Sequence, residues 1–241
     1  MNVFAISDFH LSVNNPKPMN IFGPVWEGYL ESIERSWSEN VREDDLVLIA
    51  GDLSWAMTLA DAVADLDYFR RLGGNKVLIR GNHDYWWKSI TAVRSVLPPH
   101  TYALQNDAVR MGDVVVCGTR LWTTPEPGRP QAPDDKKIYD REALRLRMSL
   151  DAAAKLRREG DRLFVMTHYP PFNSTFRPTI YTDMIAEYAP DAVVYGHLHG
   201  SGSRAKREVF VSGVRYLLTS CDLIGNELVP VSVLPNDDDA Q

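Results

Sequence analysis

Six short runs rich in β-branched residues constrain the fold of this chain more than any other feature of its sequence. The runs occupy residues 2–7, 45–50, 76–80, 114–118, 162–167 and 192–196. Several are separated by segments with apolar residues at three-to-four spacing and charges between, which predict helices. These segments are 24–40, 58–72, 86–97 and 140–159. Strands that alternate with helices are typical of an α/β protein whose strands are buried on both faces.

The C-terminal part of the chain has a different pattern. Residues 209–220 and 228–234 look like strands joined by turns. Such strands predict a second sheet or an antiparallel edge. A layered α/β sandwich with two sheets accommodates both halves of the sequence.

The sequence predicts one globular domain over residues 1–235. The chain has 241 residues, 44% of them hydrophobic, so it can bury a substantial core, and no linker-like segment or internal repeat divides it. Residues 122–139 are rich in proline and charge and lack periodicity, which indicates either a cap or lid loop beside a site or a solvated loop. Residues 236–241 are expected to form a flexible tail.

The charge balance argues against one class of partner. The chain carries 26 basic and 32 acidic residues, for a net charge of −6, so it has no general electrostatic attraction for long polyanions. We therefore expect no extended nucleic-acid binding. A small phosphorylated substrate is compatible with this balance, because bound metal cations can make the field of one pocket positive.

The expected compartment is the cytoplasm, without attachment to a membrane. No apolar run approaches the roughly 20 residues that a membrane-spanning helix needs, and the N-terminal residues lack the pattern of a signal peptide. Cys117 and Cys221 are flanked by apolar residues typical of strands, so we expect both to be small buried core residues rather than ligands or a disulfide. No sequence feature indicates an oligomeric state.

Polar side chains follow the carboxyl ends of five predicted strands. These residues are Asp8, His10, Asp52, Asn82, His83, Asp84, His168, His197 and His199. They include five of the six histidines in the chain. Because ligands bind at the carboxyl edge of the strands in open α/β sheets, we expect these five loops to converge on one crevice.

The residue types indicate a metal centre. Imidazoles, carboxylates and an amide, without a thiolate, suit divalent Mn, Fe or Zn. With His83 and Asp84 set aside, the remaining candidates overfill one tetrahedral site but divide well over two ions that share a carboxylate, roughly 3.5–4 Å apart. Two divalent ions, two aspartates and a bridging hydroxide leave a charge of about +1, which suits a phosphate ester. Arg80, just before the GNHD turn, offers a bidentate fork for phosphoryl oxygens.

Five motifs, taken in their order along the chain, closely resemble those of the calcineurin-like metallophosphoesterase superfamily. They are DFH at 8–10, GD at 51–52, GNHD at 81–84, His168 and GHLH at 196–199. The resemblance implies a four-layer α/β/β/α sandwich of two mixed sheets flanked by helices, with a dinuclear metal site at the carboxyl ends of the strands. It also implies two ligand sets that share Asp52 as a bridge. The first set is Asp8, His10, Asp52 and His199, and the second is Asp52, Asn82, His168 and His197.

The resemblance further implies a metal-dependent phosphoesterase. Such a hydrolase would cleave a small phosphate monoester or phosphodiester by in-line attack of a metal-bound hydroxide. His83 would be the non-ligand histidine that faces the substrate and protonates the leaving oxygen, and Arg80 and Asn82 would also contact the substrate. Two rival functions are a non-catalytic protein-binding scaffold that keeps the fold and a nuclease, which the acidic charge balance disfavours.

The sequence departs from the superfamily pattern near His83. Members commonly read GDxxD, where the last carboxylate helps to orient the catalytic histidine, whereas GDLSW places Trp55 there. Either Asp84 or a residue from another loop then orients His83, or the pKa of His83 is less elevated and the histidine is a weaker acid. Aromatic residues after several strands either crowd the mouth of the pocket or pack the next helix on the sheet. They are Trp55, Tyr85, Trp86, Trp87 and Trp122.

Overall fold

The computed structural model of the protein describes residues 1–200, 202–203 and 205–233. Within these residues the strands form two sheets, of five and six strands. The first sheet contains β1 (Val3–Ile6), β2 (Leu46–Ile49), β3 (Asn75–Ile79), β4 (Thr101–Leu104) and β11 (Val229–Ser232), in the order β11-β1-β2-β3-β4. The second contains β5 (Ala108–Met111), β6 (Val114–Thr119), β7 (Arg162–Thr167), β8 (Ala192–Tyr195), β9 (Glu208–Val211) and β10 (Val214–Leu218), in the order β5-β6-β7-β8-β10-β9.

Both sheets are mixed. Strands β1 to β4 pair in parallel, and so do β6, β7, β8 and β10. Antiparallel strands are confined to the edges: β11 beside β1, β5 beside β6, and β9 beside β10. This arrangement confirms the antiparallel edges that the C-terminal pattern predicts.

Helices cover the outer face of each sheet and complete four layers. They are α1 (Tyr29–Asn40), α2 (Leu59–Asp67), α3 (Ile90–Val96), α4 (Pro133–Leu156), α5 (Ile180–Ala186) and the single-turn α6 (Cys221–Ile224). Side chains alternate along each strand, so Val3 and Ala5 pack between the sheets whereas Phe4 and Ile6 pack in the core that contains Trp37 of α1. Because both faces of the central strands are covered, apolar runs are favoured at every position. The predicted α/β/β/α sandwich is confirmed.

All six strands predicted from β-branched runs are present, with bounds within one residue or two of those expected. Strands β4 and β5 were not predicted. Both are four residues long, and they carry partly exposed side chains such as Tyr102 and Arg110. Apolar and polar residues are mixed at these positions, so a search for apolar runs does not identify the two strands.

The helix predicted over residues 140–159 begins earlier, because α4 starts at Pro133, inside the segment predicted as the 122–139 loop. Proline at the first helical position and Asp134 and Asp135 in the first turn favour a helix start here. The first turns of α4 are largely exposed and therefore have no apolar stripe to reveal them. The irregular part of the segment is confined to residues 122–132, within the loop 120–132 that joins β6 to α4.

The predicted helix over residues 24–40 is also divided. Residues Pro24–Trp26 form a short 3-10 turn, and Gly28, with φ of 62°, separates this turn from α1. Glycine adopts this left-handed conformation without steric cost, so it ends the first turn and changes the direction of the chain. The segment before α1 therefore leaves the helix layer, and it forms part of the wall of a cavity described below.

None of the helices in the described residues is long and apolar enough to cross a membrane. Cys117 and Cys221 are free and buried, each in one of the cores on the outer faces of the sheets, as predicted. The predicted tail at 236–241 lies outside the described residues.

Candidate metal centre

The polar loops that follow the strands come together at one place. The amide of Asp8, after β1, donates a hydrogen bond of 3.0 Å to the carbonyl of Gly51, after β2. The amide of His197, after β8, donates one of 3.1 Å to the carboxylate of Asp8 and so connects the two sheets. Loops that are far apart in sequence therefore place their side chains around a single buried position.

Four of the predicted ligands have a strained backbone. Asp8, His10, Asp52 and His197 have φ values of 64°, 50°, 51° and 72°, in the left-handed region. For residues other than glycine this conformation costs about 1 kcal/mol each, and such strain concentrates at binding and catalytic sites. The fold holds these four side chains in directions that relaxed strand ends would not give.

The glycines of the GNHD and GHLH motifs are required by close approach of the backbone. A Cβ atom on Gly81 would overlap the carboxylate of Asp52, and one on Gly196 would lie 2.5 Å from a carboxylate oxygen of Asp8. No side chain fits at either position. These glycines let the loops approach until their ligand atoms are a few ångströms apart.

A first group of ligand atoms comes from Asp8, His10 and His199, which each offer an atom within 4.8 Å of the others. The Nε2 atom of His199 lies 3.3 Å from Oδ1 of Asp8. On the opposite side of the ring, Nδ1–H of His199 donates to Oδ1 of Asp222 at 2.9 Å. This bond directs Nε2 towards Asp8, where it can bind a cation.

A second group contains Asp8, Asp52 and His168, whose ligand atoms also lie within 4.8 Å of one another. The Oδ1 atom of Asn82 lies 2.7 Å from Nε2 of His168 and 2.7 Å from Nδ1 of His197, so these two residues extend the group. The Nδ1 atom of His168 is engaged with the carbonyl of Ala50 at 2.9 Å, which leaves Nε2 for a metal. All seven predicted ligands therefore lie in two adjoining groups.

Asp52 lies between the two groups. Its Oδ2 atom is 3.9 Å from Nε2 of His10 and 3.4 Å from Nε2 of His168, one residue from each group. This same oxygen is buried and has no hydrogen-bond partner among the described residues. A buried carboxylate oxygen without a partner is costly, and a divalent cation on each side would satisfy it. The donor set therefore fits the metal ions that the resemblance implies.

The pKa values show how strongly the buried charges interact. Burial opposes the ionisation of Asp8 and Asp52, but contacts with His199 and His168 respectively outweigh it and lower both pKa values. Burial likewise opposes a charge on His168 and His199, but the neighbouring carboxylates raise their pKa values to about 9 and about 10. Without metal, these two histidines hold protons in the places where cations would lie.

Metal binding at pH 7 is therefore expected to release about two protons, one each from His168 and His199, because an imidazole must be neutral to coordinate. The sign follows from the pKa values of about 9 and about 10: both groups are protonated at pH 7, and lowering the pH weakens metal binding further. Calorimetric titration of the metal-free protein with Mn²⁺, repeated in buffers of different ionisation enthalpy, measures this number. Metal binding without proton release would contradict the assignment of protons to His168 and His199 in the metal-free protein.

Asp222 is a functional candidate that the sequence analysis missed. It follows β10, so the rule that identified the other strand-end residues also applies to it, but a lone aspartate carried no motif. Replacing Asp222 with asparagine is expected to weaken metal binding about 10- to 100-fold, because the carboxylate that orients His199 is lost. Metal titration of the variant measures the change. The matched control is Asp183→Asn on α5, whose carboxylate contacts Ser212 instead; equal losses in both variants would contradict the assigned role.

His83 lies beside the ligand groups with an unsatisfied ring nitrogen. Its amide donates to Oδ1 of Asp52 at 2.8 Å, and its Nδ1 atom is buried without a hydrogen-bond partner among the described residues. Burial lowers the pKa of His83 below its ordinary value, the positive charge of His168 adds to this, and the charge of Asp52 opposes it. The sequence left two alternatives: another residue orients His83, or the pKa of His83 is less elevated. This geometry corresponds to the second alternative.

Asp84 does not orient His83. Its carboxylate is buried and accepts hydrogen bonds from the amides of Leu53 at 2.9 Å and Gly81 at 2.7 Å, and from the indole of Trp86 at 3.1 Å. Burial, together with the charge of Asp52, raises the pKa of Asp84 to about 7. This aspartate fastens the loop after β3 to the loop after β2.

Trp55 occupies the space next to His83. Its ring stacks on His10 with centroids 4.7 Å apart and tilts against His83 at 4.5 Å. The indole nitrogen donates to the sulfur of Met19 at 3.3 Å, so it faces away from the histidines. Packing against an indole restricts the His83 ring, but supplies no carboxylate that would stabilise its protonated form.

Arg80 is half-buried and faces other charged side chains. Burial and the nearby charge of Arg120 lower its pKa, and the negative charges of Asp84 and Glu142 oppose this. Its Nε atom is buried without a hydrogen-bond partner among the described residues. The contact of this guanidinium with phosphoryl oxygens stays a prediction.

The aromatic residues after the strands divide between the two predicted roles. Trp86 and Trp87 are buried in the core beneath the helices, which is the packing role. Trp55 instead lines a cavity at the metal centre, and Trp122 packs on Tyr169 with ring centroids 5.2 Å apart. Tyr85 is 47% exposed.

The proline-rich loop at 120–132 borders a second cavity. Thr123, Thr124 and Glu126 line a space of about 540 Å³ that also reaches Tyr169 and His197. The carboxylate of Glu126 fastens the loop by accepting hydrogen bonds from the amide and hydroxyl of Ser174, at 2.9 and 2.6 Å. The cap role of this loop stays a prediction, but its position beside the site is the one that a cap requires.

Comparisons with known proteins agree with this description. A family model for calcineurin-like phosphoesterases matches residues 1–201, which include every predicted ligand. No curated protein of comparable sequence matches the chain. Among solved structures, the chain is similar to a protein of unknown function from Aquifex aeolicus, with 14% sequence identity and a TM-score of 0.50 over 95% of this chain and 94% of the other.

The structural similarity supports the fold alone, whereas the family match covers both the fold and the ordered motifs. Members of this family normally bind divalent metal ions, and the two groups of candidate ligands are consistent with that property. The chain belongs to the calcineurin-like phosphoesterase family.

Proposed function

We propose that this protein is a dinuclear metal-dependent phosphohydrolase that cleaves a small phosphate monoester or phosphodiester. The observation that carries the proposal is the position of Asp52, whose buried Oδ2 atom has no partner in the described residues and lies between Nε2 of His10 and Nε2 of His168. A carboxylate oxygen between two sets of ligands suits a bridge between two cations. Mn, Fe and Zn are the metals that these donors favour.

Each residue near the centre has a distinct part in the proposed reaction. Bound divalent ions would supply Lewis acidity, making water nucleophilic near neutral pH and offsetting phosphoryl charge. In the hydrolysis, a water oxygen would form a bond to phosphorus while the bond to the leaving oxygen breaks, and the bonding pair would stay on the leaving oxygen. His83 gives a proton to this oxygen and is reprotonated from solvent. The proton that the attacking water loses passes to solvent. A monoester thus gives an alcohol and phosphate, and a diester gives an alcohol and a phosphate monoester.

Side chains around the ligands position the phosphoryl group. Asn82 would present its amide to the substrate as well as to the metal, next to His83 on the same loop. Arg80 would bind phosphoryl oxygens through donors that have no partner in the described residues. The acidic net charge of −6 supports a small substrate over a long polyanion, because attraction for phosphate is then confined to the metal centre.

The proposal is tested by removing metal with a chelator and then adding back Mn²⁺, Fe²⁺ or Zn²⁺ separately. Hydrolysis of 4-nitrophenyl phosphate and of bis(4-nitrophenyl) phosphate is measured with each metal. We expect one or both substrates to be hydrolysed only after metal is restored. No metal-stimulated hydrolysis under any of these conditions would support the non-catalytic scaffold instead.

A further inference from the structure

Two cavities border the metal centre, and their walls differ in chemistry. One, of about 540 Å³, reaches His197 and is lined by hydroxyl, amide and carboxylate side chains as well as aromatic rings. These polar residues are Thr123, Thr124, Glu126, Asn173, Ser174, Thr175 and Ser203. The other, of about 710 Å³, reaches His10, His83 and His199. Each volume is that of a small-molecule site.

Among the described residues that line the larger cavity, the histidine and carboxylate side chains all belong to the metal centre. They are the three histidines and Asp222, which supports His199. The rest of the described lining consists of apolar or glycine residues, without a lysine, arginine, serine, threonine or amide side chain. These residues are Met19, Phe22, Gly23, Pro24, Val25, Trp26, Trp55, Gly200 and Leu223. Away from the histidines and Asp222, a hydroxylated or charged group in this space would lose its water without gaining partners among the described lining residues.

The outer wall of this cavity includes apolar side chains that are exposed to water. Phe22 and Val25 line the cavity and are 64% and 38% exposed, and Ile21, next to Phe22 in sequence, is 73% exposed. All three belong to the segment that turns away from the helix layer before α1. Adjacent exposed apolar side chains at the mouth of a cavity are typical of a ligand-binding edge.

The position of His83 shows which part of a substrate would enter this cavity. His83 lines the larger cavity and not the smaller one. In the proposed function, on which this inference rests, His83 protonates the leaving oxygen, so the leaving group must extend to the side where His83 lies. We propose that the larger cavity binds the leaving alcohol and that this alcohol is uncharged and apolar.

The proposal predicts how affinity depends on an apolar chain. n-Alkylphosphonates, which have a carbon–phosphorus bond and are not hydrolysed, are titrated calorimetrically into the Mn²⁺-loaded protein. Each methylene that enters the cavity is expected to lower Kd about threefold to fourfold, so n-hexylphosphonate, with four more methylenes, should bind at least about 80-fold more tightly than ethylphosphonate. Equal affinities for the two compounds would refute the apolar cavity.

Matched variants show which cavity binds the alkyl chain of the phosphonate. Phe22→Ser is expected to reduce the gain from ethyl to hexyl while the affinity for ethylphosphonate stays unchanged. Phe210→Ser makes the same change at a phenylalanine that is 67% exposed on β9, and it should behave as wild type. If Phe176→Ser, in the wall of the smaller cavity, removed the gain and Phe22→Ser did not, the assignment to the larger cavity would be wrong.

Turnover on the same samples separates this proposal from the proposed function. We expect a higher kcat/KM for n-propyl phosphate than for glycerol 3-phosphate, since the two leaving groups have equally long carbon chains and differ in their hydroxyls. Chain-length-dependent binding without any metal-stimulated turnover would refute the hydrolase and with it the leaving-group assignment. Turnover that prefers glycerol 3-phosphate, or equal phosphonate affinities in an active enzyme, would refute the apolar leaving group alone.

Discussion

Replacing Asp52 with asparagine is expected to leave the protein folded, to reduce bound metal from the two proposed ions to one or fewer, and to lower kcat/KM at least about 10³-fold. The two side chains have nearly the same shape, so the packing around the loop after β2 is retained. The negative charge and one metal-binding oxygen are lost. Asparagine replaces one carboxylate oxygen with an amide NH₂ group, which cannot coordinate a cation as Oδ2 of Asp52 would. This Oδ2 atom lies 3.9 Å from Nε2 of His10 and 3.4 Å from Nε2 of His168. Elemental analysis beside the rate of aryl phosphate hydrolysis measures both effects.

The control for Asp52→Asn is Asp45→Asn, at the other end of the same strand. Asp45 lies at the opposite end of β2, is buried, and accepts hydrogen bonds from the amides of Asn2 at 2.8 Å and Arg42 at 3.0 Å. Asp45→Asn therefore removes a buried carboxylate far from the metal centre. It should reduce the free energy of unfolding without changing bound metal. Full metal content and full activity in Asp52→Asn would contradict the assignment of the bridge.

Much of the centre could be predicted from the sequence because it depends on topology. Strands covered on both faces require apolar residues at every position, so the six main runs are easy to recognise. Once the strands are placed, parallel pairing brings their carboxyl ends to one edge, and polar residues there must meet. This reasoning placed Asp8 and His199 together although 190 residues separate them, and the structure has them 3.3 Å apart.

The direction of individual side chains could not be predicted in the same way. Asp84 and Asp52 both follow strands, yet Asp84 turns into the loop backbone and Asp52 turns towards the histidines. The difference depends on local backbone conformation, such as the φ of 51° at Asp52, which sequence patterns do not encode. Asp222 was missed for a related reason, since its role is defined only by the ring nitrogen of His199 that it contacts.

The apolar wall beside His83 arises from a break in a predicted helix. Periodicity over residues 24–40 suggested one continuous helix, but Gly28 has a φ of 62° and divides the segment. The short turn before Gly28 brings Trp26 to the cavity. The wall of this cavity therefore depends on irregular segments, whereas the candidate metal ligands follow the strands of the regular sheets.

Replacing His83 with alanine is expected to retain both metals and to lower kcat about 10²- to 10⁴-fold for an alkyl phosphate, whose leaving oxygen needs a proton. The ring makes no contribution to either ligand group, and the bond from its amide to Oδ1 of Asp52 is kept in alanine. For 4-nitrophenyl phosphate the loss should be much smaller, because nitrophenolate departs without protonation. Comparing the two substrates with equal metal content measures the role of His83 as an acid.

The pKa of His83 adds a pH dependence to this prediction. Burial lowers the pKa of His83 below its ordinary value, so the protonated form is lost as the pH rises through that lowered pKa, and kcat/KM for an alkyl phosphate should fall on the alkaline side. This alkaline decrease in kcat/KM should be absent in His83→Ala. It should be unchanged in the control variant His100→Ala, because His100 is an exposed histidine outside the metal centre. Equal losses for both leaving groups, or loss of metal, would instead mean that His83 supports the ligand loops rather than the leaving oxygen.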